Sequence, residues 1–312
     1  MKDAEGIATS VIALIVVLAV VAGAGAYLLV TGAGEPSSDG AGENKPPGEN
    51  QPPSGPTSGP YFHQVYSATS SDGINWVTDN TLLFNHASVP GAVYFDNKLY
   101  VYFVNAADWE HEKLSVGVSE DQGTTFTTHD VQISGSNSPY PVDPNPIIDN
   151  GKIRLTYLGN FGQVSQGVAG NIVTATSTDG INFTEEAVIY TGEAFDPDLF
   201  YHDVSGEWVM FFGNMTGNLI RATASSPTAT FAVDQSFSWT AGGITSTYKI
   251  EDKYYTYYSG NGISVAEYSG GTLTNITADI LNYQGLNADP TVAIFEPNDY
   301  KMFFKTQVAQ QG

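Results

Sequence analysis

The sequence has no cysteine and few basic residues. Without cysteine, disulfides, thiol nucleophiles and cysteine-based metal sites are excluded. Its 11 basic residues stand against 33 acidic ones, which gives a formal net charge of -22 at pH 7. This charge repels nucleic acid phosphates, so nucleic acid is excluded as the partner. An acidic surface of this kind suits a domain that faces solvent outside the cell.

Several motifs of known chemistry are also absent. There is no Gly-x-Ser-x-Gly elbow and no glycine-rich loop that opens a helix, which excludes serine hydrolase and phosphate-loop functions. No two histidines have the spacing of zinc ligands, and we interpret each as a surface or hydrogen-bonded residue. The five histidines are His63, His86, His111, His129 and His202.

One long apolar run is present, at residues 7–30, and it carries no charged side chain. A helix of about 24 residues crosses a hydrocarbon core of roughly 30 Å. We interpret the run as a single transmembrane anchor after a cytoplasmic tail at 1–6, and it resembles the N-terminal anchors of archaeal surface proteins. The alternative is a cleaved secretory signal, because Ala22-Gly23-Ala24 fits an A-x-A cleavage site. The apolar continuation at residues 27–30 favours the retained anchor.

Residues 31–60 are rich in glycine, proline and serine. Such a composition buries no core, and its prolines favour extended conformations. We predict a disordered linker that tethers residues 61–312 to the membrane. A polyproline ligand for a partner protein is the alternative reading.

A segment recurs about every 50 residues from Val89 to the C-terminus, which indicates an array of identical units. Each copy opens with a short turn-and-strand phrase, and after a turn a second, aromatic-rich strand follows. Short runs of Tyr, Phe, Val and Thr between Asp-Gly and Asn-Gly turns predict strands throughout. The copies begin at Val89-Pro90-Gly91, Asp143-Pro144-Asn145, Asp196-Pro197-Asp198 and Asp289-Pro290-Thr291, with a weaker copy at residues 243–248.

This pattern predicts an all-β, five-bladed β-propeller. The fifth repeat stops after two strands, near Thr306, and the strands at residues 63–69 and from Trp76 onward have no first or second strand of their own. We therefore predict that the N-terminal strands close the last blade, which removes the exposed edges of an open array.

Three turns share the form Ser-x-Asp followed by glycine and an aromatic residue. Their acids are expected to accept hydrogen bonds from turn amides, and the aromatic side chains to fill gaps between sheets. We therefore interpret these acids as structural. The turns span residues 70–76, 119–126 and 177–183.

Together, the Asp-Pro phrases and these turns resemble the five-bladed propellers of family 43 glycoside hydrolases and of families 32, 62 and 68, the arabinanase and sucrase type. The turns also resemble the Asp-boxes of sialidases. The resemblance covers residues 61–306, and it implies an inverting site with a base Asp from the first blade, an auxiliary Asp from the second and an acid Glu from the third. Asp143 matches the auxiliary residue, whereas Val89 replaces the first Asp and Asp196 stands where the Glu is expected.

The residue that opens each inner strand should face the propeller axis. Asp143, Asp196 and Asp289 hold this position, and Glu193 is a further acid close by in sequence. Glycoside hydrolysis uses two carboxyl groups, and converging acids raise one another's pKa. These three aspartates are therefore our candidate catalytic residues. The alternative is that each Asp before a proline caps backbone amides at a turn.

Sugar recognition needs aromatic faces for stacking and amides or carboxylates for hydroxyl groups. The starts of the inner strands and the following loops supply such side chains. No cofactor is expected; carboxylates are hard oxygen ligands, so calcium in the axial cavity is compatible with them, but no motif specifies it. The candidate sugar-binding residues are His86, Trp109, Tyr140, Asn145, Phe161, Asp198 and Asn287.

The sequence thus predicts a membrane-anchored, extracellular propeller that binds carbohydrate in its axial pocket, with hydrolysis as the further question. One alternative is a non-catalytic surface module for adhesion or glycan binding, which Val89 favours. Another is a structural envelope protein, which the glycosylation sequons at Asn182, Asn214 and Asn275 and the acidic surface favour.

Overall fold

A computed structural model describes residues 59–136, 141–160, 170–214, 216–237, 245–260 and 262–307, together with Pro56. The predicted tail and anchor, and most of the predicted linker, lie outside these residues. Within them no helix has the length and apolar character needed to span a bilayer. Their helical structure is one 3-10 turn, Pro60–Phe62.

The described residues form strands that are joined by short turns. In chain order they are β1 (His63–Ser70), β2 (Val77–Thr78), β3 (Phe84–Asn85), β4 (Ala87–Phe95), β5 (Lys98–Asn105), β6 (Lys113–Ser119), β7 (Thr127–Asp130), β8 (Gln132–Ser134), β9 (Val142–Asp149), β10 (Lys152–Leu158), β11 (Gly170–Ser177), β12 (Asn182–Gly192), β13 (Phe195–His202), β14 (Glu207–Gly213), β15 (Leu219–Ala224), β16 (Ala232–Phe237), β17 (Thr245–Ile250), β18 (Lys253–Ser259), β19 (Ile263–Ser269), β20 (Thr272–Leu281), β21 (Asn287–Glu296) and β22 (Asp299–Gln307).

These strands build five sheets, and the predicted five-bladed propeller is confirmed. Numbered from their inner strands, blade 1 is β4-β5-β6-β7, blade 2 is β9-β10-β11-β12, blade 3 is β13 to β16 and blade 4 is β17 to β20. Blade 2 gains β8 as an outermost strand that runs parallel to β12, which the repeat did not predict.

Blade 5 joins the two ends of the domain. Its order is β21-β22-β1-β2, and β1 pairs with β22 from His63↔Gln307 to Ser70↔Tyr300. The predicted closure by the N-terminal strands is therefore confirmed. The outer position is held by two short pieces, β2 and β3, rather than by one strand. Closure pairs the edges that an open array would expose.

Hydrophobic clusters lie between neighbouring blades. Between blades 1 and 2, Tyr102, Leu155 and Tyr157 are fully buried, and between blades 5 and 1 Phe84 stacks on Phe103 with ring centroids 4.6 Å apart. The middle strands are buried on both faces, which explains why their sequences are continuous aromatic and aliphatic runs rather than alternating ones.

The three Ser-x-Asp turns share one hydrogen-bond pattern. Asp72 Oδ1 accepts from the amides of Ile74 and Asn75 at 2.9 and 2.8 Å, and Asp121 and Asp179 are bound in the same way. The Asn75 amide lowers the pKa of Asp72 to about 2, as the Thr125 amide does for Asp121. These acids therefore stabilise turns.

Two of these turns fasten one blade to its neighbour. Tyr102 of blade 1 donates its hydroxyl to the carbonyl of Gly180 at 2.9 Å, and Tyr257 of blade 4 donates to that of Gly73 at 2.8 Å. Phe183 then packs edge-on against Tyr102. Both glycines have positive φ, and an added β-carbon would lie within 3.0 Å of the neighbouring blade.

Candidate functional site

Five triplets ring the propeller axis where the inner strands begin, and this end is called the mouth below. The first two residues of every triplet line one small axial cavity. The weak fourth repeat takes its place in the ring through Thr245. The triplets are Val89-Pro90-Gly91, Asp143-Pro144-Asn145, Asp196-Pro197-Asp198, Thr245-Ser246-Thr247 and Asp289-Pro290-Thr291.

The backbone at the first triplet position is left-handed in four blades. Val89, Asp143, Asp196 and Asp289 have φ of 47°, 56°, 51° and 53°. The strand pairing shifts at the same points, as bulges do, and a bulge redirects side chains. Aspartate tolerates this conformation, whereas a β-branched residue is strained in it. The bulge therefore aims three carboxylates at the axis and strains Val89.

Third-position side chains join one blade to the next. Asn145 Oδ1 accepts from the Leu199 amide at 2.9 Å, and Asp198 accepts from the Thr247 amide and hydroxyl at 3.0 and 2.7 Å. Burial raises the pKa of Asp198 to about 6, and the Thr247 bonds oppose this rise. Both Asn145 and Asp198 thus hold the ring together, and their predicted contact with sugar stays a prediction.

The structure brings the three predicted acids together at the mouth. Asp143, Asp196 and Asp289 are 2%, 6% and 1% exposed. Asp143 Oδ2 accepts from the Asp196 amide at 3.3 Å. The Oδ1 atoms of Asp143 and Asp289 have no hydrogen-bond donor among the described residues. The mouth therefore presents buried acceptor atoms, which suits a ligand that donates hydrogen bonds.

A buried lysine balances part of this charge. Lys305 Nζ lies 2.6 Å from Asp289 Oδ2, although the angle does not meet hydrogen-bond geometry. We treat the contact as an ion pair, since attraction between charges at this distance does not depend on the angle.

Asp143 has a different electrostatic environment. Burial raises its pKa to about 7, the Asp196 amide opposes this, and the negative charges of Asp289 and Glu112 add to the rise. Lys305 lowers it. Asp143 thus changes protonation state near neutral pH.

Glu112 and Lys305 lie near the mouth but were not predicted as site residues, and His63, expected at the surface or in a hydrogen bond, is buried and hydrogen-bonded there. Glu112 lies half-buried in the loop between β5 and β6, and burial raises its pKa. His63 bonds Ser88 Oγ at 2.9 Å, and burial with the Lys305 charge lowers the pKa of His63 to about 3. The position of Lys305 could have been predicted from the sequence. Residues paired outward from the β21-β22 turn place Lys305 opposite Ala288, next to Asp289.

The other predicted residues that the structure describes lie around the mouth. Trp109 is 39% exposed in the loop that carries Glu112. His86 contacts the Tyr61 carbonyl and stacks on its ring at 4.0 Å. The Asn287 amide bonds residues 283 and 285 of its own loop. Glu193 is exposed between β12 and β13. Tyr140 and Phe161 lie outside the described residues.

The described part of the mouth does not fit a calcium ion. Calcium takes 6–8 oxygen ligands. Among the described residues no group of three or more histidines and acids is placed to hold a metal, and Oδ2 of Asp289 is paired with Lys305.

A larger groove of about 440 Å³ lies on the opposite end, between blades 3 and 4. Arg221 lines it but is bound by Asp234 and by the Tyr268 hydroxyl. Its charge is therefore already balanced, and we take the axial mouth as the candidate site.

No protein family model and no curated protein matches the sequence. Solved structures do share its fold. A thermostable family-43 glycoside hydrolase has TM-score 0.54 at 13% identity and covers 73% of this chain and 90% of its own. A GH43 enzyme of Xanthomonas citri solved with xylotriose has TM-score 0.54 at 15% identity and covers 73% of this chain and 89% of its own. An α-L-arabinofuranosidase of Clostridium thermocellum has TM-score 0.53 at 16% identity and covers 69% of this chain and 80% of its own. The chain therefore has the five-bladed propeller fold of family 43 glycoside hydrolases.

Proposed function

We propose that this chain is a membrane-anchored, outward-facing propeller that binds carbohydrate at its axial mouth. The observation that carries the proposal is the convergence of buried carboxylates whose Oδ1 atoms, on Asp143 and Asp289, lack donors among the described residues. A buried acceptor without a donor costs about 1–3 kcal/mol, and a sugar hydroxyl is a donor that removes this penalty.

The size of the cavity defines how a sugar would bind. At about 20 Å³ it holds one water-sized group, not a sugar ring. One hydroxyl would therefore reach the carboxylates while the rest of the ligand lies above, against the loops of this end. Trp109 is the exposed aromatic residue that we assign to stacking on the sugar.

Calorimetric titration of the full chain in detergent with xylotriose and arabinotriose tests binding. Asp143→Asn replaces a carboxylate acceptor by an amide, and Trp109→Ala removes the stacking face. We expect each variant to bind the sugar about tenfold more weakly or worse, which corresponds to a loss of about 1.4 kcal/mol of binding free energy. Asp252→Asn is the control, because it makes the same change at an exposed turn on the opposite end. Equal affinity in the wild type and Asp143→Asn would contradict the proposal.

A second candidate function is glycoside hydrolysis. It is favoured by the unlike environments of two axial carboxyl groups, since Asp143 has a pKa near 7 and Asp289 lies in an ion pair. Hydrolysis uses one protonated and one ionised carboxyl group. Asp143 would donate the proton to the leaving oxygen, and Asp196 or Asp289 would assist a water molecule. Val89 leaves the first blade without an acid at the start of its inner strand.

Release of reducing sugar from xylan, arabinan, fructan and aryl glycosides tests hydrolysis. We expect turnover to fall as pH rises through about 7, because Asp143 loses its proton there, and to vanish in Asp143→Asn. Sugar binding without turnover on this panel would leave the binding function and exclude hydrolysis of these substrates.

The anchor and the outward location rest on the apolar residues 7–30 and on the acidic surface. Protease treatment of intact cells should release residues 61–312, while membrane extraction should require detergent. Protection of the domain in intact cells would contradict the proposed orientation.

A further inference from the structure

Lys305 is a charged side chain in an apolar strand. It follows Phe303 and Phe304 in β22, the second strand of blade 5, and it is 1% exposed. A buried ammonium without a partner is strongly unfavourable, and lysine usually extends its amine to solvent. Here the amine turns instead toward the mouth and meets Asp289 in the bulge of β21.

Several charged and titratable groups face this pair from neighbouring strands. Among the described residues that line the axial cavity none is basic. The charge of Lys305 lowers the pKa of Asp143. His63, on β1, is uncharged at neutral pH because its burial lowers its pKa. These groups are His63 from β1 and Asp143 from β9, on which the Lys305 charge acts, and Asp196 from β13, which lines the same cavity as Asp289. Glu112, from the loop before β6, acts on Asp143.

We propose that Lys305 is the resident cation of the axial mouth and stands where converging carboxylates would otherwise need a metal ion. Like charges gathered at low dielectric repel one another, and a covalently held ammonium offsets this repulsion at any metal concentration. The mouth is thereby independent of divalent cations. This inference concerns the charge balance of the fold and holds whether or not the mouth binds sugar.

The experiment measures thermal unfolding of the full chain in EDTA and in millimolar CaCl2. We expect the wild-type Tm to be the same in both. Lys305→Met removes the ammonium and leaves a buried carboxylate, so its Tm should fall by roughly 6–20 °C in EDTA. Calcium should recover part of that loss, because the freed carboxylate can then bind the ion.

Two further variants separate charge from packing. Lys305→Met with Asp289→Asn removes both charges, so it should regain stability and show no response to calcium. Lys249→Met is the matched control, because it breaks the exposed pair with Asp203, in which both side chains are at least 40% exposed, and should shift Tm little.

Four results would overturn the proposal. They are a wild-type Tm that drops in EDTA and returns with calcium, a Lys305→Met Tm equal to the wild type, an equal calcium response in the single and double variants, and failure of the double variant to fold. If Lys305→Met alone does not fold in EDTA, folding of the double variant supports the proposal.

Discussion

Replacing Asp143 by asparagine should make the propeller more stable than the wild type, by an amount that grows as pH rises, although it removes a polar contact of the mouth. The side chain is 2% exposed, and its Oδ2 accepts from the Asp196 amide. Asparagine has nearly the same shape and still accepts through its amide oxygen, but it carries no charge. The substitution therefore removes the titration and leaves the packing in place.

The magnitude follows from the pKa. Burial raises the pKa of Asp143 from 3.8 to about 7, so the folded protein holds this proton more tightly than the unfolded chain. Its contribution to stability is fully present below pH 3.8 and is lost as pH rises through about 7. A gap of roughly three units corresponds to about 4 kcal/mol, at about 1.4 kcal/mol per unit. Asp143→Asn should gain up to that amount over the wild type by pH 8.

Urea unfolding at pH steps from 5 to 8 measures the effect. The difference in free energy of unfolding between Asp143→Asn and the wild type should grow from pH 5 to about pH 7 and then level off. Asp252→Asn, at its exposed turn, should give a curve parallel to the wild type. If the Asp143→Asn curve is also parallel, the buried proton of Asp143 is refuted.

Two other predictions concern how blades are joined. Gly180→Ala should destabilise the protein by roughly 3–5 kcal/mol in urea unfolding, because the added β-carbon would lie 2.3 Å from Tyr100 at a positive φ. Gly151→Ala, with similar φ and nothing within 4 Å, should cost only about 1–2 kcal/mol, and equal losses would contradict a blade contact at Gly180. Asp198→Ala leaves the Thr247 amide without an acceptor and removes the Asp198 bond of the Thr247 hydroxyl, which keeps Thr256 Oγ1 at 2.9 Å. It should lower the free energy of unfolding by about 2–4 kcal/mol, whereas an unchanged midpoint would show that these bonds do not support the ring.

The regular parts of the fold were predictable because they are local. Strands such as β5 and β10 are runs of aromatic and β-branched residues between turn residues, and their repetition predicts blades. The incomplete fifth repeat also predicts the pairing of β1 with β22, since an unpaired edge is unfavourable. Strand β8 was not predicted, because three residues carry no periodic signal and its pairing with β12 depends on distant chain.

The site was predictable only in part. The Asp-Pro phrases placed Asp143, Asp196 and Asp289 at the axis, since position within the repeat determines position in the ring. The link from Asp198 to Thr247 spans two blades, so nothing near either residue in sequence indicates it. Glu112 comes from a loop outside the repeat, and its effect on Asp143 depends on where that loop lies.

The sequence by itself determined the all-β class, the number of blades, their closure and the axial aspartates, because periodicity and turn chemistry are written along the chain. Only the tertiary structure decided which aspartate changes its protonation near neutral pH and which is paired. Those properties depend on burial and on charges brought together from separate blades, as Lys305 is to Asp289 and Glu112 is to Asp143. Electrostatic interactions act through space, and the distances that control them are set by packing.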